Sequence, residues 1–330
     1  MAHRLRVLGG RSTPEDRARL AERTRRHFDF GAYAGQVLRL AMPEAPSVSV
    51  VVPNYNYARY LPGRIASIMA QTCPVLEVIV LDDASTDGSA AVVEQAALTA
   101  DRRVRWVPNS ENSGSVFRQW RWAAELAQGE WLWIAEADDM AEPGFLAALG
   151  KALQGAPDAV MAFTDSRAVD AAGTALWPDH LAYYAKSGAP ALARDAILPA
   201  AEVLRTCLSQ RNLILNASAV LWRRTALLQA LLRCGDDLDG YTMAGDWRLY
   251  AELLSGGGTV AYVAQPLNIH RRHPASVTHS LPPARHLAEA LRMQRHMRGL
   301  LGSDRALLAG QRRALRETRA SLQASVRAAT

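Results

Sequence analysis

The stretch GEWLWIAEADDM (Gly129–Met140) runs from a glycine through Trp131, Leu132, Trp133, Ile134 and Ala135 into three carboxylates, Glu136, Asp138 and Asp139. A short apolar run without alternation, closed by an acidic cluster, reads as a strand buried on both faces, as in a parallel sheet. The acids then lie at its carboxyl end, the edge where open α/β sheets bind ligands. Three crowded carboxylates repel one another, and a divalent cation is the economical counter-ion. Taken alone, the stretch also fits a solvated acidic turn.

Upstream of it the chain alternates strands and helices. VSVVV (Val48–Val52) reads as a strand stopped by Pro53, with a helix from about Tyr60 to Gln71. LEVIVL (Leu76–Leu81) is a second strand and runs straight into Asp82 and Asp83. A helix near 89–100, the strand VRWV (Val104–Val107) and a helix near 116–128 lead into the acidic strand. This rhythm predicts a mostly parallel sheet flanked by helices, with both acidic groups on one edge. PNYNYARYLPG after the first strand has neither the G-x-G-x-x-G turn of a dinucleotide site nor a P-loop, so any nucleotide phosphates are expected to be held by metal. The second half is less regular, with strands expected at Ala159–Thr164 and Ala217–Trp222 and helices near Pro199 and Gly245.

With 330 residues, 49% hydrophobic and 21% charged, the chain suits one large α/β domain with additions. No apolar run approaches the roughly 18–20 residues of a membrane span, and MAHRLRVLGG lacks the apolar segment of a signal peptide, so a cytoplasmic location is the default expectation. Cys73, Cys207 and Cys234 are widely spaced and odd in number, as free thiols are. The formal charge of +6 is unevenly spread: residues 1–46 carry +4, residues 284–330 carry +7, and residues 47–283 carry −5. An acidic core argues against nucleic acid as a partner. Basic helical extensions at both ends suit peripheral contact with the inner membrane face, or a homodimer; solvated helix faces are the plain alternative. In the last helix Leu301, Leu308, Leu315 and Leu322 recur at sevens, but Arg298, Arg305, Arg312 and Arg319 do so too, which argues against a strict coiled coil.

The ordered series SVVVPNYNYARYLPGRIASIMAQT, EVIVLDDASTDGS and NSGSVFRQWRWAAELAQGEWLWIAEADD resembles the family 2 glycosyltransferases, which have the GT-A fold, over roughly residues 47–280. The resemblance implies a nucleotide-binding half over 47–155, an acceptor half over 156–283, a basic extension over 1–46 and an amphipathic helical tail over 284–330. It implies that Asp83 reads the nucleobase; a carboxylate suits the ring N–H of UDP, dTDP or GDP. The family's D-x-D signature falls on Glu136-Ala137-Asp138. Asp138 is the preferred ligand of Mn²⁺ or Mg²⁺ and Asp139 the second choice, while the longer Glu136 suits a ribose or water-mediated contact. Pro53, Asn54 and Tyr55 resemble the loop beside the base, and Gln119 stands where relatives often carry an arginine.

In YTMAGDWRLYAELLSGGG (Tyr241–Gly258) the resemblance makes Asp246 the catalytic base, and the helix-end field is expected to keep it ionised; helix capping is the local alternative. NIHRRHPASVTH (Asn268–His279) resembles the loop that closes on the diphosphate, with His273 as a phosphate or metal contact. Asn216 and Ser218 resemble residues near the sugar pocket. The implied activity is inverting transfer from a nucleoside diphosphate sugar to a glycan or lipid-linked acceptor, in synthesis of bacterial surface polysaccharide. A nucleotidyltransferase of similar fold and a non-catalytic nucleotide-sugar-binding scaffold are the alternatives.

Overall fold

The computed structural model describes residues 46–99, 104–274, 276 and 281–329, so the basic extension expected over 1–46 lies almost wholly outside the described residues. Its first half is β1 (Val48–Asn54), α1 (Leu61–Met69), β2 (Glu77–Asp82), α2 (Ser89–Thr99), β3 (Val104–Pro108), α3 (Val116–Leu126) and β4 (Trp131–Ile134). These strands pair in parallel in the order β3-β2-β1-β4. β1, β2 and β4 are buried along their whole length, which explains their unbroken apolar sequence. β1 runs on through Pro53, where a stop was expected. Its ladder with β4 ends at Val51, so beyond that point β1 is an edge on one side, where proline is tolerated.

Gly129 starts the decisive strand for a steric reason. A Cβ there would lie 2.6 Å from Ser49 N, 2.8 Å from Ser47 O and 2.9 Å from Trp131 O, all backbone atoms. Gly129→Ala is therefore expected to destabilise the fold by about 2–4 kcal/mol, because the β1–β4 pairing itself must shift. Chemical denaturation checks this; a loss under about 0.5 kcal/mol would show that the pairing yields freely.

The second half adds β5 (Met140–Ala141), α4 (Phe145–Gln154), β6 (Ala159–Val169), β7 (Ala175–Trp177), α5 (Leu181–Ser187), β8 (Ala196–Pro199), α6 (Ala200–Val203, continued by a wider turn to Leu208), β9 (Val220–Arg223), α7 (Arg224–Cys234), α8 (Gly245–Ser255) and β10 (Thr259–Arg271). β9 pairs antiparallel with both β4 and β6, and β6 pairs in parallel with β10, so one mixed sheet spans both halves. The strand expected from Ala217 begins only at Val220, because the Asn216 side chain accepts the Ser218 N–H and forms a short 3₁₀ turn first. β5 pairs antiparallel with the end of β10, which brings Arg271 and the loop after it beside the acids that follow β4. Two apolar layers cover the sheet: Val51, Ile79, Leu132 and Trp222 face α3, α7 and α8, while Val50, Val52, Val78 and Trp133 face α1 and α4.

Residues beyond 282 form α9 (Pro283–Leu301) and α10 (Arg305–Ala329). Met293 and Met297 enter the core. The buried Gln294 and Gln311 amides each donate to the other's carbonyl at 3.0 Å, and to Gln210 O and Ser209 O as well. Such paired amides satisfy buried polar groups while fixing both helices on the 208–211 segment. Arg305, Arg312, Arg313, Arg316 and Arg319 face solvent. No helix of the described residues is long and apolar enough to cross a membrane. All three cysteines are free and buried.

Candidate functional site

The acids at the end of β2 divide their tasks. Asp82 ties the β1 and β2 ends together, accepting from Asn54 Nδ2 (2.6 Å), Ser85 N (2.9 Å) and Ser85 Oγ (2.5 Å). Asn54 is only 2% exposed, and its Nδ2 serves this framework while its Oδ1 has no partner among the described residues. Tyr55, 49% exposed, is free to meet a ligand, and Pro53 lies within the β1 ladder. Asp83 is 6% exposed; its Oδ1 accepts from Asn109 Nδ2, Ser113 N and Gln119 Nε2, and its Oδ2 from Ser113 Oγ at 2.8 Å. Gln119, where an arginine was the reference, thus orients Asp83. Asn109 Oδ1 and Gln119 Oε1 are buried beside it without a donor.

After β4 the three carboxylates diverge. Glu136 accepts from Trp120 Nε1 at 3.0 Å; burial, then the Asp138 charge, push its carboxyl up to about 8 against the pull of that hydrogen bond. Asp139 is buried and accepts from Arg271 N (2.8 Å) and Asn216 Nδ2 (2.9 Å), with burial and then Asp138 raising its pKa. Asp138 Oδ2 lies 2.9 Å from His273 Nε2, and that imidazole packs against the Tyr57 and Tyr60 rings. Each Asp139 oxygen takes one hydrogen bond, which ties β10 and the 216 turn to it and leaves Asp138 with the more open carboxylate for a cation. Asn216 and Ser218, expected near the sugar, support the acids instead, since Ser218 Oγ accepts the Glu136 N–H at 3.0 Å.

Sequence reading missed Arg64. It is fully buried on α1, stacks 4.8 Å from the Trp133 ring, and none of its guanidinium nitrogens has a hydrogen-bond partner among the described residues. Burial lowers its pKa to about 10, while the charges of Asp139, Glu136 and Asp138 pull it back up. The protein thus supplies one positive charge of its own, but Asp138 still raises the Glu136 and Asp139 carboxyls, so the repulsion is only partly offset. The donor set for a cation is one carboxylate oxygen and one imidazole nitrogen, side by side, which would suit Mn²⁺ with ligand and water oxygens. No group of three or more such side chains occurs among the described residues.

Asp246 is the second residue of α8, half-buried, with Ala244 at the N-cap. Its Oδ1 accepts from Trp247 N (2.6 Å) and its Oδ2 from Asn212 Nδ2 (3.0 Å). The three preceding N–H groups, of Thr242, Met243 and Ala244, go to Glu289 of α9 at 2.9 Å each. Glu289, a residue no local pattern announced, thus holds the approach to α8 and its N-cap, while Asp246 takes the first-turn N–H of Trp247. The expected ionising effect of the helix end is outweighed, because burial raises the Asp246 carboxyl to about 7. Asp246 opens on a cavity of about 270 Å³ also lined by Asn212, Trp247, His286 and Thr318. The buried Tyr250 hydroxyl has no hydrogen-bond partner among the described residues, and burial, then the charges of Asp246 and Glu136, raise its pKa.

Residues 49–187 match the profile of Glycosyl transferase family 2. The chain is 35% identical over 107 residues to glycosyltransferase GlyG of Streptococcus pneumoniae, covering 32% of this chain and 35% of that protein. It is 36% identical over 94 residues to the putative teichuronic acid biosynthesis glycosyltransferase TuaG of Bacillus subtilis, covering 28% and 36%. These matches thus span about a third of each relative. Among solved structures, residues 1–349 of Staphylococcus aureus TarS superpose with a TM-score of 0.57 at 18% identity, over 81% of this chain and 71% of that one. Mannosyltransferase PcManGT from Pyrobaculum calidifontis, solved with GDP-Man and Mn²⁺, gives 0.52 at 19% identity, over 87% and 76%. At such identity the likeness shows the fold, an α/β sheet flanked by helices of the GT-A type.

Proposed function

We propose that the chain is an inverting, metal-dependent glycosyltransferase that moves a sugar from a nucleoside diphosphate sugar to a hydroxyl of a glycan or related acceptor in bacterial surface polysaccharide synthesis. The observation that carries it is Asp246: a carboxyl raised to about 7, fixed by two hydrogen bonds and open to a cavity, is a base poised for neutral pH. The family match, the teichuronic acid role in TuaG's name and the UDP-GlcNAc complex of TarS support the donor and product classes.

Asp246 takes the proton of the acceptor hydroxyl, whose oxygen attacks the anomeric carbon from the face opposite the diphosphate. One displacement inverts that centre and needs no enzyme nucleophile. Asp83 Oδ2, with the orphaned Asn109 and Gln119 amide oxygens beside it, offers acceptors for the ring N–H of uracil, thymine or guanine. Tyr55 is exposed at the same end of the sheet for contact with the base. Asp138 and His273 would hold the cation, which when bound neutralises the departing diphosphate.

Release of nucleoside diphosphate from a panel of UDP-, GDP- and dTDP-sugars tests the reaction class. Pyrophosphate would indicate a nucleotidyltransferase, and no release from any donor a binding scaffold. Excess chelator is expected to abolish transfer, and Asp138→Asn to weaken donor binding in Mn²⁺ about tenfold or more, a change of about 1.4 kcal/mol. Undiminished transfer in chelator would remove the cation from the reaction.

A further inference from the structure

A second opening adjoins the cavity at Asp246. Its volume is about 720 Å³ and it shares Tyr183, Arg211, Leu215, His286 and Thr318 with the first, so one groove leads away from the base. β7 and α5 form one wall, through Trp177 and Tyr183, and α10 forms another, through Thr318, Ser321 and Leu322. The Tyr183 ring is 39% exposed, and the Arg272 guanidinium lies 5.1 Å from the Trp177 ring centre.

The groove sets aromatic faces, Trp177 and Tyr183, beside charged side chains of both signs, Lys186 and Arg211 against Asp179 and Glu317, of which Arg211 and Glu317 pair with each other. An apolar ligand would strip water from these charges without replacing its hydrogen bonds. A chain of sugar units fits such a lining, because its C–H faces lie on aromatic rings while its hydroxyls pair with the polar side chains.

We infer that this groove is a second acceptor subsite, which holds the sugar unit next to the one whose hydroxyl meets Asp246. The acceptor is then a glycan of at least two units, its chain running between α5 and α10; this assignment rests on the transferase reading for its direction. α10 lies beyond the residues matched to the family profile.

The test uses the full chain and a length series of oligosaccharides, read both by direct binding on a glycan array and by transfer. Acceptors of two or more units are expected to bind and react better than monosaccharides. Trp177→Ala should raise the KM for the longer acceptors about tenfold, a change of about 1.4 kcal/mol, without altering donor KM or turnover of a monosaccharide acceptor. Ala182→Trp, at an exposed position of α5 on the groove wall, should do the same by filling it, and serves if the tryptophan variant misfolds. Donor cleavage with no preference for length, or with both variants silent, would sink the subsite and leave the transferase. Length-dependent glycan binding that both variants abolish, with no donor cleaved, would sink the transferase and leave the subsite.

Discussion

Replacing Asp246 by asparagine is expected to lower the rate of sugar transfer by about 10²- to 10⁴-fold, the range a positioned general base supplies, with donor affinity unchanged. Asparagine matches the carboxylate in shape but takes no proton near neutrality. Asn212 cannot turn its amide to accept the new N–H, because its Oδ1 already accepts from Ile214 N at 2.9 Å. One bond of about 1 kcal/mol is therefore lost. Against that, the substitution removes the penalty of ionising a buried carboxyl. With a folded pKa of about 7 and an unfolded one near 3.9, the folded chain keeps the proton longer, so this carboxyl erodes stability as pH rises between those values and by a constant amount above. The melting temperature of Asp246→Asn relative to the parent should thus improve from about pH 4 to about pH 8. The parent's transfer rate should rise through about pH 7 and the variant's residual rate stay flat. A parent-like rate would move the base elsewhere. Of the neighbouring acids, Asp237 pairs with Arg248 and Arg292, and Asp239 with Arg118, which leaves the exposed Asp236.

What sequence could and could not show follows from where each side chain finds its partners. The β4 run and its acids were legible because burial on both faces leaves a local apolar signature, while the roles expected of Asp83, Asp138 and Asp246 came from the family resemblance. The division of labour among the acids was not legible. Asp139 is held by Asn216 and Arg271, 77 and 132 residues away, and Asp138 meets His273 only because β10 returns beside β5. Arg64 sits one helical position from Ile65 in an amphipathic pattern, and nothing local says that its charge is buried against Trp133. The tail was legible as helices by periodicity, but its arginines drew attention to the solvent face. The buried side, Glu289, Gln294 and Gln311, is polar, and a hydrophobic pattern does not report it.

Glu289→Ala should show how far that polar side governs the site. The carboxylate takes three N–H groups ahead of α8, and it is 5% exposed, so water has little access to replace it. Loss of about 2–4 kcal/mol in chemical denaturation is expected, as for a buried charged acceptor whose donors are left unpaired. Glutamine should restore only part of it, because its amide can turn its oxygen to the Met243 and Ala244 N–H groups but then presents N–H to that of Thr242. Transfer should fall further than the folded fraction does, since Asp246 follows Ala244 by two residues and loses its fixed approach to the acceptor. Donor affinity should hold, because the N–H groups that Glu289 accepts lie ahead of α8, while Asp138 and His273 follow β4 and β10 and pair with each other. α9 grips the same segment independently through Arg292, which stacks 4.1 Å from the Tyr241 ring and donates to Gly240 O, so the loop is expected to loosen and not to leave. A stability within about 0.5 kcal/mol of the parent would mean that solvent reaches the α8 N-terminus after all. In that case the capping contribution would pass to the water and to Asp246 itself, and the two roles of that carboxylate would have to be separated by rate alone.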